Sequence, residues 1–182
     1  TGAGNFIVYK HFGSLGEDSL MATVRYLAVV EKVDFIFLDH ISIAVSGIAD
    51  SDERKLIDRL MTNLRSLVEE TGVGLCVISH LTRKAGSDQS HEEGGRVSLN
   101  QLRGSGTLGQ LPDTIIAAER NQQDDGEAKN LMLLRSLKCR ETGETGVGGY
   151  LYYNKTTGRL EAADPKDFRD QPESFPIEEP EF

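Results

Sequence analysis

The chain has 182 residues, of which 38% are hydrophobic, and this amount of apolar material suits one buried core rather than two. Its 29 acidic and 20 basic residues give a formal charge of −9, which argues against nucleic-acid binding through bulk charge. Residues 164–182 carry seven acids and two bases, so residues 1–163 are close to balanced and can still hold a local basic patch. No apolar run approaches the ~20 residues of a membrane span, and no secretory signal opens the chain.

Short apolar runs alternate with amphipathic segments along the chain. Apolar residues recur every three or four positions in 19–31 and 51–71, which predicts two helices. In chain order, the predicted strands are 6–9, 35–38, 73–78, 114–117 and 131–137, followed by a hairpin of 147–153 and 159–161. The first four strands are expected to be buried. This order predicts an α/β fold with a mostly parallel sheet flanked by helices and an antiparallel hairpin at one edge.

The remaining features concern the cysteines and the domain boundary. Cys76 and Cys139 lie in strand-like runs without the spacing of a zinc site, which predicts reduced thiols in the core. A disulfide between neighbouring strands is the alternative. Residues 1–163 are predicted to form the domain. Residues 164–182 hold four of the five prolines and many acids, which predicts a disordered acidic tail.

Two of the predicted strands end in polar residues. Asp39 and His40 follow the strand at 35–38, and Ser79 and His80 follow the strand at 73–78. Ligands of parallel α/β sheets bind at the carboxyl ends of strands. An aspartate there can act on Mg²⁺, and a histidine there can contact a phosphate or position water. The alternatives are that Asp39 caps the next segment and that His80 faces solvent.

Two further motifs suit an anionic phosphate. The Gly-Ser-Gly sequence at 104–106 offers backbone N–H groups, although a flexible connection is the alternative. Lys138 and Arg140 end a strand on the same face, where two cations suit phosphate or, alternatively, form a solvated face paired with acids. The P-loop motif GxxxxGK[ST] occurs nowhere in the chain.

Eight short motifs, taken together and in order, resemble one family. They are DHISI (39–43), SDERK (51–55), SHL (79–81), HEEG (91–94), LRGSG (102–106), ERNQQ (119–123), LKCR (137–140) and GYLYYNK (149–155). The set resembles the C-terminal helicase domain of primase-helicases from phages of the T-seven type. More broadly it is similar to the RecA/DnaB superfamily of hexameric replicative helicases, which includes mitochondrial Twinkle. The similarity covers roughly residues 5–161.

This resemblance implies a RecA-like P-loop NTPase core whose Walker A segment is absent from the chain. It implies that Asp39 is the Walker B aspartate acting on Mg²⁺ and that His80 senses the γ-phosphate. It places Gln110 in the motif that couples hydrolysis to DNA. Arg140 then resembles an arginine finger that reaches the nucleotide of the neighbouring subunit, and Lys138 assists it.

The resemblance also implies binding residues. Arg120 and Tyr153 match the pair that sandwiches the nucleotide base. Arg83 and Lys84 lie in a loop expected to line a central channel and contact single-stranded DNA, with a solvated loop as the alternative.

Family members end in an acidic segment with a terminal aromatic residue that docks the replicative DNA polymerase. Glu179, Glu181 and Phe182 have that form, and a solubilising tail is the alternative.

The function implied is the C-terminal part of a replicative DNA helicase. The full enzyme would hydrolyse ATP or dTTP with Mg²⁺ and unwind DNA as a hexamer, in the cytoplasm of the infected host cell if it is phage-encoded. The chain alone is expected to be inactive. The alternatives are another RecA-like ATPase, such as a recombinase or a circadian-clock-type protein, and a truncated, catalytically incompetent docking module for replication proteins.

Overall fold

The computed structural model describes residues 6–9, 16–42, 50–82, 89–102 and 106–168. These residues fall into two units. The first unit comprises residues up to His80 together with 106–111, and the second comprises 81–102 and 112–168. The expected single domain ending at residue 163 stays a prediction, and most of the expected tail lies outside the described residues.

The core of the first unit is built by two helices, α1 (Glu17–Val29) and α2 (Asp50–Thr71). Both are confirmed, and each begins one or two residues earlier than its apolar period predicts. Their apolar stripes face one core because residues three or four apart share one side of a helix. The core residues these helices supply are Leu20, Val24, Ile57, Leu60, Met61, Leu64 and Leu67.

Polar contacts join the outer edges of these helices. The Glu17 carboxylate accepts hydrogen bonds from the guanidinium of Arg59 and from the amide of Asn63. Arg25 forms a bidentate pair with Glu70, at 2.8 and 2.9 Å. Both side chains of that second pair are more than half exposed, so solvent screens the pair and it adds little to stability.

Helix α2 ends at a glycine, as its sequence predicts. Gly72 has a φ of +72°, in the left-handed region, and its N–H donates to Val68 O over 2.8 Å. This αL termination turns the chain directly into strand β2 (Gly74–Val77) because glycine pays no Cβ penalty there.

Strand β2 pairs in parallel with β1 (Phe35–Leu38), which confirms the parallel pairing expected for these two segments. Phe35 stands opposite Gly74, and its ring occupies the space that a Cβ at residue 74 would need. The expectation that β1 is buried holds for one face and is wrong for the other. Ile36 is buried, but Phe35 and Phe37 are each 70% exposed, because only one face of the pair is covered in the described residues.

Two further expectations fail, one in the first unit and one in both units. Phe6–Tyr9 is not a strand, and its four side chains are all exposed. A β-branched and aromatic run needs a pairing partner to become a strand, and its composition does not supply one. The cysteines are free, as predicted, but Cys76 is exposed and Cys139 only half-buried, so neither is a core thiol.

A short helix, α3 (Thr107–Gln110), completes the first unit. Leu108 is buried, and the Thr107 hydroxyl donates to the Asp58 carboxylate of α2 over 2.8 Å. These two contacts fix α3 on α2 and leave Gln110 on its exposed side.

The second unit is a four-stranded antiparallel sheet in the order of the chain. Its strands are β3 (Thr114–Glu119), β4 (Leu131–Cys139), β5 (Gly146–Asn154) and β6 (Arg159–Ala163). The expected hairpin is confirmed as β5–β6, and Asn154 closes its turn by accepting the N–H groups of Thr156 and Thr157. The antiparallel part is therefore larger than the edge hairpin that the sequence predicts.

In the part of the chain that the structure describes, no helix combines the length and the hydrophobicity of a transmembrane helix.

Candidate functional site

The carboxyl ends of β1 and β2 bring two of the expected site residues to one edge. Pairing continues beyond both strands, because Ile78 N–H donates to Leu38 O over 2.9 Å and Ile41 N–H donates to Ile78 O over 3.0 Å. The segment of Asp39 and His40 therefore lies beside the residues that follow Ile78. Asp39 is exposed, so its carboxylate is available at the edge where parallel α/β sheets bind ligands.

A pair of histidines occupies the same edge. The ring centroids of His40 and His80 are 4.1 Å apart, and the rings meet edge to face at 65°. His80 is exposed, whereas His40 is only half-exposed. Sequence reasoning selected His80 and passed over His40, although both histidines follow an apolar strand in the same way. Gln110 lies in the same unit, on α3.

The second unit holds the remaining described candidates. Arg140 directly follows β4, and its N–H donates to Asp113 O over 2.7 Å. Its guanidinium is 3.2 Å from the Asp113 carboxylate, and both side chains are about half exposed. Burial and the nearby charge of Arg140 lower the pKa of Lys138, while Asp113 opposes that shift. Two cations thus share one strand end, as the sequence predicts, with one carboxylate beside them.

Arg120 and Tyr153 fall on the same face of the antiparallel sheet. Tyr153 directly follows Tyr152, which is opposite Leu131, and Glu119 is opposite Leu133. Alternation therefore sends Tyr152 and Glu119 to one face, and Arg120 and Tyr153 to the other. One strand lies between them, so the lateral separation is about 10 Å, or two strand spacings.

Residues 127–130, which directly precede β4, make hydrogen bonds to Arg120 and to Tyr152 of β5. Arg120 Nε donates to Lys129 O, at 2.5 Å. Glu127 accepts hydrogen bonds from the Tyr152 hydroxyl over 2.6 Å and from the Asn130 amide over 2.8 Å. Arg120 and β5 are thus both tied to one short segment.

The Tyr152 hydroxyl should control the ionisation of Glu127. Hydrogen bonds from Tyr152 and then Asn130 lower the pKa of Glu127, so this bond stabilises the fold above the ordinary glutamate pKa of ~4.3. That contribution is lost as the pH falls through the lower, folded value. Tyr152→Phe should therefore raise the pKa of Glu127 in a ¹³C NMR titration of its carboxyl group. Tyr153→Phe removes a hydroxyl from the other face of the same strand and should leave that pKa unchanged, and an equal shift in both variants would contradict the assignment.

A buried ion pair anchors the segment that precedes α3 in the chain. Glu119 is 3% exposed and accepts hydrogen bonds from Val97 N–H and from the Arg135 guanidinium, both over 2.7 Å. Arg135 Nη2 in turn donates to Val97 O over 2.6 Å. Sequence reasoning missed both residues, although a charge inside each of two apolar strands was a signal.

The HEEG motif at 91–94 has a structural role in the same segment. The two ring nitrogens of His91 lie 3.4 Å from Gly95 O and 3.3 Å from Thr82 O. Glu93 accepts the N–H and the hydroxyl of Ser90, and Gln122 N–H donates to Glu92 O over 2.8 Å. Residues 89–95 are thus tied to Thr82 and to the chain just after Arg120. Arg83 and Lys84, the expected DNA contacts, lie outside the described residues, and so do Glu179, Glu181 and Phe182.

The described residues contain no group of three or more His, Cys, Asp and Glu side chains placed to hold a metal ion. Mg²⁺ keeps several waters and is usually bound through one or two carboxylates plus substrate phosphates. A single exposed carboxylate, as at Asp39, is compatible with that mode of binding.

A parallel strand pair with polar residues at its carboxyl edge, in a unit with two long helices, is an α/β arrangement. Solved structures agree: a DnaB-like replicative helicase, solved in a study of its interactions with primase, aligns with a TM-score of 0.64 at 19% identity, over 86% of this chain and 36% of that one. A second solved structure, of an ATPase domain, aligns with a TM-score of 0.62 at 20% identity, over 83% of this chain and 52% of that one. The expected RecA-like fold is thereby confirmed.

Sequence comparison gives the family. The model of the DnaB-like helicase C-terminal domain matches residues 6–159, so the chain belongs to that family. A DNA helicase/primase of Enterobacteria phage T3 is 52% identical over 88% of this chain and 28% of its own length. The replicative DNA helicase DnaB of Treponema pallidum is 27% identical over 58% of this chain and 22% of its own length. The chain thus spans about a quarter of these relatives.

Proposed function

We propose that the chain is the C-terminal part of a replicative DNA helicase that hydrolyses a nucleoside triphosphate and moves along single-stranded DNA as a hexameric ring. The observation that supports this proposal most strongly is the family match over residues 6–159. The identity of 52% with a phage helicase/primase supports it further. The enzyme would then act in the cytoplasm of an infected host cell.

The edge formed by β1 and β2 would receive the phosphates. Asp39 would hold Mg²⁺, which would supply charge neutralisation for the phosphates. His80 would contact the γ-phosphate, and Gln110 would couple nucleotide state to DNA. The exposed carboxylate of Asp39 and the exposed ring of His80 on neighbouring strand ends support these roles.

The second unit would contribute the base site and the charge that assists hydrolysis. Arg120 and Tyr153 would sandwich the nucleotide base, which their shared sheet face supports. Arg140 would act as an arginine finger on the nucleotide of the neighbouring subunit, with Lys138 beside it. Two cations at one strand end support this role, because phosphoryl transfer depends on neutralising developing charge.

DNA and polymerase would be bound by residues outside the described part of the chain. Arg83 and Lys84 would contact DNA phosphates. That assignment rests on the family resemblance. Glu179, Glu181 and Phe182 would dock the replicative polymerase, an assignment that rests on the family resemblance alone.

The experiment compares the chain with the full-length protein that contains it. The full-length protein should hydrolyse ATP or dTTP with Mg²⁺ and displace a strand from a forked duplex, while residues 1–182 alone should do neither, because they lack GxxxxGK[ST]. Turnover by residues 1–182 alone would show that the missing P-loop was wrongly assigned. A full-length protein that binds replication proteins but neither hydrolyses nor unwinds would favour the docking module.

A further inference from the structure

We propose that His40 is a positioning residue whose ring holds the imidazole of His80 in the orientation that meets the nucleotide. This inference rests on the proposed role of His80 and adds a residue that neither the family resemblance nor the comparisons assign.

The first observation is the geometry of the ring pair. The edge of one imidazole meets the face of the other, with centroids 4.1 Å apart. The contact joins the second residue beyond β1 to the third residue beyond β2. Because backbone hydrogen bonds continue past both strand ends, the two rings are carried on paired backbone.

The second observation is the difference in burial. His80 is exposed and would otherwise sample several rotamers, whereas His40 is half-buried and is the more fixed partner. An edge-to-face ring contact favours one arrangement by about two- to tenfold. The pair therefore reduces the orientations from which the His80 ring would meet a phosphate.

The third observation concerns the nitrogen of His40. Its Nδ1 is buried and has no hydrogen-bond partner among the described residues. A buried polar atom without a partner costs stability and calls for a reason. Packing on the ring of His80 is the side-chain contact that the structure shows for this histidine.

The test uses three substitutions in the full-length protein that contains this chain. His40→Ala removes the ring and should lower kcat for single-stranded DNA-stimulated hydrolysis by about tenfold, with KM for dTTP or ATP changed less than about twofold. His40→Phe keeps the ring and discards the unpaired nitrogen, so it should retain kcat and unfold at an equal or higher temperature. His80→Ala should lower kcat at least as much as His40→Ala. Thermal unfolding of each variant checks that the fold is intact.

The outcomes separate the two ideas. Normal kcat in His40→Ala, together with a low kcat in His80→Ala, would overturn the positioning role and leave the proposed function intact. A His40→Phe variant as slow as His40→Ala would also overturn it, because ring packing would then not be what His40 supplies. Normal kcat in His80→Ala would contradict the proposed role of His80 itself.

Discussion

Replacing Arg140 with alanine in the full-length protein should lower kcat for NTP hydrolysis by about 10³- to 10⁵-fold, the loss expected for an arginine finger. The guanidinium is about half exposed and faces one carboxylate at 3.2 Å, so a phosphate of a neighbouring subunit can compete for it. Arg140→Lys should fail to restore the rate, because lysine lacks the planar fork. Arg159→Ala, at an exposed position on β6, is the matched control and should hydrolyse normally.

A mixing experiment tests whether the finger acts between subunits. Arg140→Ala subunits keep Asp39, and Asp39→Asn subunits keep Arg140, so each variant should be inactive alone. In a mixed ring, some nucleotides would lie between an intact Asp39 and a neighbour's intact Arg140. Hydrolysis should therefore reappear on mixing, and its failure to reappear would argue that Arg140 serves its own subunit.

Glu119→Gln should lower the free energy of unfolding of the second unit by about 3–5 kcal/mol, the cost of breaking a buried ion pair. The substitution keeps the shape but leaves the Arg135 cation, only 15% exposed, without its counter-charge. Urea unfolding measures the loss of unfolding free energy. Hydrogen exchange at the Val97 N–H, which donates to the Glu119 carboxylate, reports the loss at that segment.

Two comparisons make this stability test specific. Glu70→Gln breaks an exposed pair with Arg25 and should leave the unfolding curve nearly unchanged. Glu119→Leu combined with Arg135→Met removes both charges, so it should be less destabilising than Glu119→Leu alone. An unfolding free energy of Glu119→Gln close to that of the parent would show that Glu119 and Arg135 do not depend on each other.

The sequence predicts best the features that local patterns determine. Helices α1 and α2 follow from long apolar periods, and the end of α2 follows from Gly72. The proximity of the residues that follow β1 and β2 is also predictable, because the carboxyl ends of parallel strands meet at one edge of a sheet. The hairpin of β5 and β6 follows from the turn residues after Asn154.

The features that fail, or that were missed, depend on distant partners. Residues 6–9 have strand composition but are not a strand in the described part of the chain, and composition cannot reveal that. Glu119 and Arg135 lie 16 residues apart on two strands, and the charge inside each strand does not identify its partner. The contact of His40 with His80 depends on side-chain orientation, which strand periodicity does not predict.

The open face of the β1–β2 pair has a colloidal consequence. Phe35, Phe37 and Ile78 are 70%, 70% and 43% exposed, and such side chains attract the same side chains on other copies of the chain. The chain also carries a formal charge of −9, so copies that approach one another repel. Long-range charge repulsion between copies therefore opposes a short-range apolar attraction. Added salt screens the charge repulsion but does not screen the apolar attraction. Charge repulsion, and not burial among the described residues, would then limit contact between these rings on different copies.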